Sequence, residues 1–218
     1  MLDITDDTDL DASQTTDKEE DPNDWLSSLP DNAGKVRDIS LQAFWTLSSC
    51  KTDGFGVHQL LEDSVDQYWQ SDGPQPHTVT VEFRKKTDIS FLLLYLDYKT
   101  DESYTPSKIT VYLGSSILDL DDGLTVMFSE PVGWQVVDLR HLRYRSEKRP
   151  ARASVLQLQV TQNHQNGRDT HIRQMKILGP GRTQLDTDAR ALVAAGAAFS
   201  NMPLKFTSSK MASYISFR

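Results

Sequence analysis

The sequence predicts an all-β fold, a jelly-roll sandwich, and three observations carry that prediction. Short segments of alternating apolar and polar residues recur between about residues 34 and 180, as strands with one buried face do. They are enriched in β-branched and aromatic residues and bounded by Gly, Pro, Asn and Asp. The gaps between them are too short for the crossover helices of about a dozen residues that a parallel sheet requires, so antiparallel pairing of many short strands remains.

The elements are read in chain order. Residues 1–33 are polar and aperiodic, with Pro22, Pro30 and Asn32 as breakers, and read as a disordered acidic leader. Residues 1–24 hold ten acids, Asp3, Asp6, Asp7, Asp9, Asp11, Asp17, Glu19, Glu20, Asp21 and Asp24, against the single base Lys18. The net charge of −8 is therefore a property of the leader, since the rest of the chain carries 21 acids and 22 bases. Such a tail disfavours nucleic acid and anionic membranes. Val57–Leu61 reads as a short helical stretch. Thr78–Phe83 alternates with Val79, Val81 and Phe83 on one side, and Ile89–Tyr95 reads as a strand buried on both faces. Lys108–Leu113, Leu124–Phe128, Trp134–Leu139, Val155–Val160 and His171–Leu178 complete about seven strands of a domain spanning residues 34–180. Gly179-Pro180-Gly181 then signals a stop. Residues 181–218 read as a linker and a C-terminal tail, with a helical turn expected over Asp186–Phe199 behind the candidate N-cap Asp188. The chain closes on Tyr214, Ile215, Phe217 and Arg218, apolar anchors beside a guanidinium and a terminal carboxylate, which suits a docking peptide.

Composition excludes several classes. No run approaches the ~20 apolar residues of a membrane helix, and the N-terminus has no signal-peptide pattern. The single cysteine, Cys50, forbids an internal disulfide, suits a reducing compartment, and reads as a small buried apolar residue. The histidines His58, His77, His141, His164 and His171 are scattered without metal-ligand spacing, and no nucleophile elbow, phosphate loop or dinucleotide fingerprint occurs. No cofactor or metal is expected. Asp63, Asp66 and Asp72 lack the spacing of a calcium loop. The basic run Arg140, Arg143, Arg145, Lys148 and Arg149 lacks interleaved aromatics and reads as a solvated loop.

Binding chemistry concentrates in loops. Asn163-His164-Gln165-Asn166-Gly167-Arg168-Asp169-Thr170-His171 presents amides, imidazoles, a guanidinium and a carboxylate around Asn166-Gly167, a hairpin-type turn signal. Asp97 to Ser107 is a second polar loop, carrying Tyr98, Ser103 and Tyr104. A third runs from Asp66 through Trp69 to Gly73, with Trp69 read as packing rather than as a sugar platform.

At these loops the chain resembles a known family. Trp45-Thr46-Leu47-Ser48-Ser49-Cys50-Lys51, Gly54-Phe55-Gly56-Val57, the stretch from Tyr68-Trp69-Gln70-Ser71 to His77, the stretch from Asp97-Tyr98-Lys99 to Ile109, and Asn163-His164-Gln165-Asn166-Gly167-Arg168-Asp169-Thr170-His171-Ile172-Arg173-Gln174 match, in order, the DOC-domain family, subunit 10 of the anaphase-promoting complex. The resemblance covers about residues 34–180. It implies a galactose-binding-like jelly roll, with no catalytic residues of its own, in a cullin–RING ubiquitin ligase active in the cell cycle, mitosis and cell division, located in nucleus and cytoplasm. It implies work beside a WD40-propeller coactivator as co-receptor for the destruction-box (D-box) degron. It places degron-peptide binding on Ser103, Tyr104, Asn163, His164, Asn166, Arg168, Asp169 and His171. It also implies docking of Ile215, Phe217 and Arg218 on a TPR scaffold subunit, where the family ends in isoleucine-arginine and this chain in Phe217-Arg218. Two rivals remain. One is a carbohydrate-binding module using Trp69 and the loop amides; the other is a hydrolase using His164 and Asp169 as an acid/base pair.

Overall fold

The computed structural model describes residues 24–121, 123–140 and 149–181. Among them strands follow as β1 (Val36–Asp38), β2 (Ala43–Leu47), β3 (Trp69–Gln70), β4 (His77–Ile89), β5 (Phe91–Asp97) and β6 (Pro106–Ser116). Then come β7 (Asp119–Leu120), β8 (Leu124–Met127), β9 (Val132–Asp138), β10 (Ala151–Asn163), β11 (His171–Ile172) and β12 (Gln174–Pro180). Two short α-helices are α1 (Val57–Leu61), as the sequence predicts, and α2 (Tyr98–Asp101). None is long and apolar enough to cross a membrane.

Two antiparallel sheets face each other. One runs β1-β12-β5-β9; the other runs β2-β4-β10-β6, with β7 and β8 both pairing with β6. A two-stranded ribbon, β3 with β11, closes one end. Alternation fills the space between the sheets. Val79 and Val81 of β4, Ile109, Val111 and Leu113 of β6, and Leu156, Leu158 and Val160 of β10 meet Leu92, Leu94 and Leu96 of β5 and Met175 and Ile177 of β12.

β5 is buried on both faces for a reason the sequence does not contain. Its other face, Phe91 and Leu93, joins Leu178 under Trp25, Leu29, Ala33 and Val36, with Trp134 and Val136 beside them. Residues 24–33, assigned to the leader by composition, thus strap the outer face of the four-stranded sheet. Arg140 fastens the strap. It is buried, pairs with Asp138 at 2.7 Å, donates to the Asn32 backbone oxygen at 2.8 Å and lies 4.4 Å over the Phe91 ring. The solvated-loop reading therefore fails at Arg140, whose charge is desolvated and paired; Arg143, Arg145 and Lys148 lie outside the described residues.

Other expectations shift in detail. The Ile89–Tyr95 strand is broken at Ser90, which bonds across to Leu178 and Leu139. His171–Leu178 is two strands parted at Arg173. The segment after β10 is no hairpin, because β10 and β12 belong to different sheets and the loop crosses between them. Cys50 is exposed, not buried. It sits in an irregular segment of largely exposed residues, where no alternating strand turns it inward. The tail residues Ile215, Phe217 and Arg218, and the helical turn expected over 186–199, lie outside the described residues.

Candidate recognition site

β4 and β6 begin, and β10 ends, at the same end of the sandwich. That register brings the three polar loops together. The crossing loop 164–170 is held by its backbone. The Asn163 side-chain amide donates to Gly167 O at 3.3 Å and to Asp169 O at 2.7 Å. Gln75 Nε2 donates to Gly167 O at 3.0 Å, and His77 Nε2–H donates to Arg168 O at 2.6 Å. Thr170 N donates to Ser71 Oγ at 2.8 Å, and His164 N to Thr105 O at 2.9 Å. The carbonyls of Gly167, Arg168 and Asp169 are thus taken by neighbouring side chains, while the side chains of Gln165, Asn166 and Arg168 stay exposed.

Gly167 sets how close the loops come. The turn signal Asn166-Gly167 leads one to expect positive φ at both positions, yet the left-handed residues are Gln165 (φ 51°) and Asn166 (φ 57°). Gly167 is needed for proximity instead: a Cβ there would stand 1.8 Å from the Ser103 carbonyl oxygen. Ser103 follows α2, whose N-cap is Asp97; its carboxylate accepts from Lys99 N, Thr100 N and Thr100 Oγ1. Asp97 was a legible cap signal for a helix that the periodicity, over only four residues, does not reveal.

Beneath the loops lies a buried charged cluster. Asp101 accepts from Arg173 Nε at 2.9 Å and from Arg173 Nη2 at 2.9 Å, and it accepts from His171 Nδ1–H at 3.1 Å. Burial alone would raise the Asp101 carboxyl, but the hydrogen bonds from His171 and Arg173, and their charges, together hold it below its ordinary value. Burial likewise works to lower the Arg173 guanidinium, and Asp101 outweighs it, so Arg173 is raised. The His171 ring is sandwiched between Tyr68, centroids 4.3 Å apart, and Tyr104, centroids 4.2 Å apart and 9° from parallel.

The eight residues named from the sequence divide by exposure. Tyr104, Asn166 and Arg168 face solvent; Ser103, His164 and Asp169 are half-buried; Asn163 and His171 are buried and hold other groups in place. Residues the sequence did not single out, Gln75, His77, Ser71, Asp101 and Arg173, supply much of the support. Their signal was weak because each bonds to a partner 70 or more positions away.

The rival chemistries fare poorly on this geometry. His164 Nδ1–H donates to Thr105 O at 3.0 Å, and Nε2 accepts from Glu130 N at 3.2 Å, so both ring nitrogens are committed to backbone. Trp69 is 0% exposed, its Nε1 donating to Ser49 O, and offers no face to a sugar. Among the described residues no group of three or more His, Cys, Asp or Glu is placed to hold a metal ion.

Two facing antiparallel sheets with a polar loop end define a jelly-roll domain of the galactose-binding-like class. Solved structures agree on the fold. A CBM32 module from Clostridium perfringens, in complex with GalNAc-β-1,3-galactose, matches with a TM-score of 0.52 at 8% identity, over 63% of this chain and 96% of its own. The C-terminal domain of a chitobiase from Bacteroides fragilis matches with a TM-score of 0.51 at 12% identity, over 67% of this chain and 100% of its own. The sequence comparisons are more specific. The family model described as "Anaphase-promoting complex, subunit 10 (APC10)" matches residues 13–204. Anaphase-promoting complex subunit 10 of Homo sapiens is 50% identical over 150 residues, 69% of this chain and 78% of the relative. That of Drosophila melanogaster is 43% identical over 174 residues, 80% of this chain and 84% of the relative. Subunit DOC1 of Saccharomyces cerevisiae is 34% identical over 149 residues, 68% of this chain and 58% of the relative. The chain belongs to the anaphase-promoting complex subunit 10 family.

Proposed function

We propose that this chain is a non-catalytic subunit of the anaphase-promoting complex, working in nucleus and cytoplasm, whose loop end holds the destruction-box segment of a substrate. One observation carries the reading. The exposed side chains of Glu102, Tyr104, Asn166 and Arg168 stand on loops whose backbones are already hydrogen-bonded to the sandwich. A surface ordered before the ligand arrives gives up little conformational entropy on binding. Exposed amide, guanidinium and phenol groups suit the polar backbone and side chains of an extended peptide.

A single small surface of this kind binds weakly. Paired with a WD40-propeller coactivator on the same assembly, it acts at high effective concentration, and the two weak contacts together slow substrate loss. Longer residence allows more ubiquitin additions per encounter. The chain's part is to hold, with bond-making left to other subunits. The tail residues Ile215, Phe217 and Arg218 supply an apolar pair, a cation and a carboxylate for a TPR scaffold subunit.

The test is a reconstituted ligase carrying Asn166→Ala with Asp169→Ala. Shorter ubiquitin chains per encounter on a destruction-box substrate, with assembly intact, are expected. Unaltered chain length would remove the receptor role.

A further inference from the structure

We propose that Asp101 and Arg173, which lie beneath the loop surface, are positioning residues for recognition: they act through the stacked rings Tyr68–His171–Tyr104 to fix the exposed ring of Tyr104. This rests on the peptide-holding reading above and names the device that orients its aromatic contact.

Tyr104 is 38% exposed, and its ring lies nearly parallel on His171. A stacked ring keeps its plane only as well as the ring under it does. The only polar anchor of the His171 ring is at Nδ1, bonded to Asp101 at 3.1 Å; Nε2 is buried and has no hydrogen-bond partner among the described residues. Asp101 is in turn gripped by the Arg173 fork, a geometry that fixes a carboxylate in plane as well as in place. Arg173 also donates through Nη1 to Val65 O at 2.6 Å and stands 5.6 Å from the Tyr68 ring centre. Three segments, around Val65 to Tyr68, Asp101 to Tyr104, and His171 to Arg173, therefore share one charged hub. Neither hub residue reaches the surface, as both are buried. Their side chains meet the exposed Tyr104 ring through the His171 ring stacked on it. Shifting a contact group by a fraction of an ångström is enough to weaken a preorganised site.

A purely structural ion pair would also be buried and also matter for stability, so the test must separate the two. The full chain is assembled into the ligase as wild type, Asp101→Asn, Tyr104→Ala and the double variant, and dissociation of a destruction-box substrate is followed. Assembly and thermal melting are checked for each. Asp101→Asn is expected to speed dissociation about three- to tenfold, in the lower part of the range that coupling between contacting residues spans, and to add nothing in the Tyr104→Ala background. Arg173→Lys, which keeps the charge and loses the fork, should do the same and guards against a variant that fails to fold. On the full chain alone, NMR of the His171 ring protons should show shifts from the two tyrosine faces that collapse in Asp101→Asn and Arg173→Lys. If Tyr104→Ala speeds dissociation while the hub variants add the same factor with or without Tyr104, or none, the positioning role is wrong and the receptor reading stands. If Tyr104→Ala leaves dissociation unchanged, Tyr104 is no contact and the positioning role is overturned. The receptor reading then fails as well only if Asn166→Ala with Asp169→Ala also leaves dissociation unchanged.

Discussion

Gly167 and Asp101 show how much of the loop end depends on single residues. Gly167 leaves no room for a methyl group against the Ser103 carbonyl, a backbone atom that cannot rotate away. Gly167→Ala is expected to push the two loops apart and to cost on the order of 1–3 kcal/mol, as overpacking does; chemical denaturation of the full chain measures it. The Asp101 carboxyl is held below its ordinary value. A carboxylate depressed in the folded state contributes stability that is fully present above its unfolded pKa, about 4, and is lost as pH falls through the depressed folded value. Wild type should therefore lose stability on acidification below about pH 4 more steeply than Asp101→Asn, which has no such proton to take up. At neutral pH the same substitution leaves Arg173 charged and buried without its partner, a change that typically costs about 3–5 kcal/mol. Equal acid sensitivity in the two proteins would mean that Asp101 is not the group responsible.

At the scale of elements, the strap 24–33 and strand β5 explain each other. Phe91 and Leu93 face outward from the sheet and need a cover, which Trp25 and Leu29 provide. Trp25→Ala should destabilise the domain by about 2–4 kcal/mol, somewhat less than a full core truncation because Trp25 is only half-buried. The urea midpoint reads this directly, and an unchanged midpoint would mean that the strap contributes no packing energy. The run Phe91–Leu96 was legible as doubly buried because both its faces are apolar, whereas its cover was not, since Trp25, Leu26, Leu29 and Ala33 are a few apolar residues without a clear period beside a strongly acidic stretch. The long strands β4, β6 and β10 were legible from period-two alternation. β1, β3 and β7, of three residues or fewer, carry too little pattern to show a period. The polar loops were found as loops, but the hub beneath them was not. Asp101 looks like any solvated loop acid until Arg173, 72 positions on, is folded against it.

For the whole molecule, a stiff sandwich carries an ordered polar surface at one end, and the proposed docking residues Ile215, Phe217 and Arg218 stand at the end of the sequence. Deleting Phe217-Arg218 is expected to weaken incorporation into the ligase without lowering the melting temperature of the domain; co-purification with the other subunits measures it. The proposed receptor role requires the loops around Asn166 to touch the degron. The most direct measurement places a photo-crosslinking amino acid at Asn166 in the assembled ligase and maps the adduct formed with a destruction-box substrate. A crosslink within the destruction box, lost when that motif is mutated, is the expected result. Adducts scattered along the substrate, or a yield that ignores mutation of the motif, would contradict it.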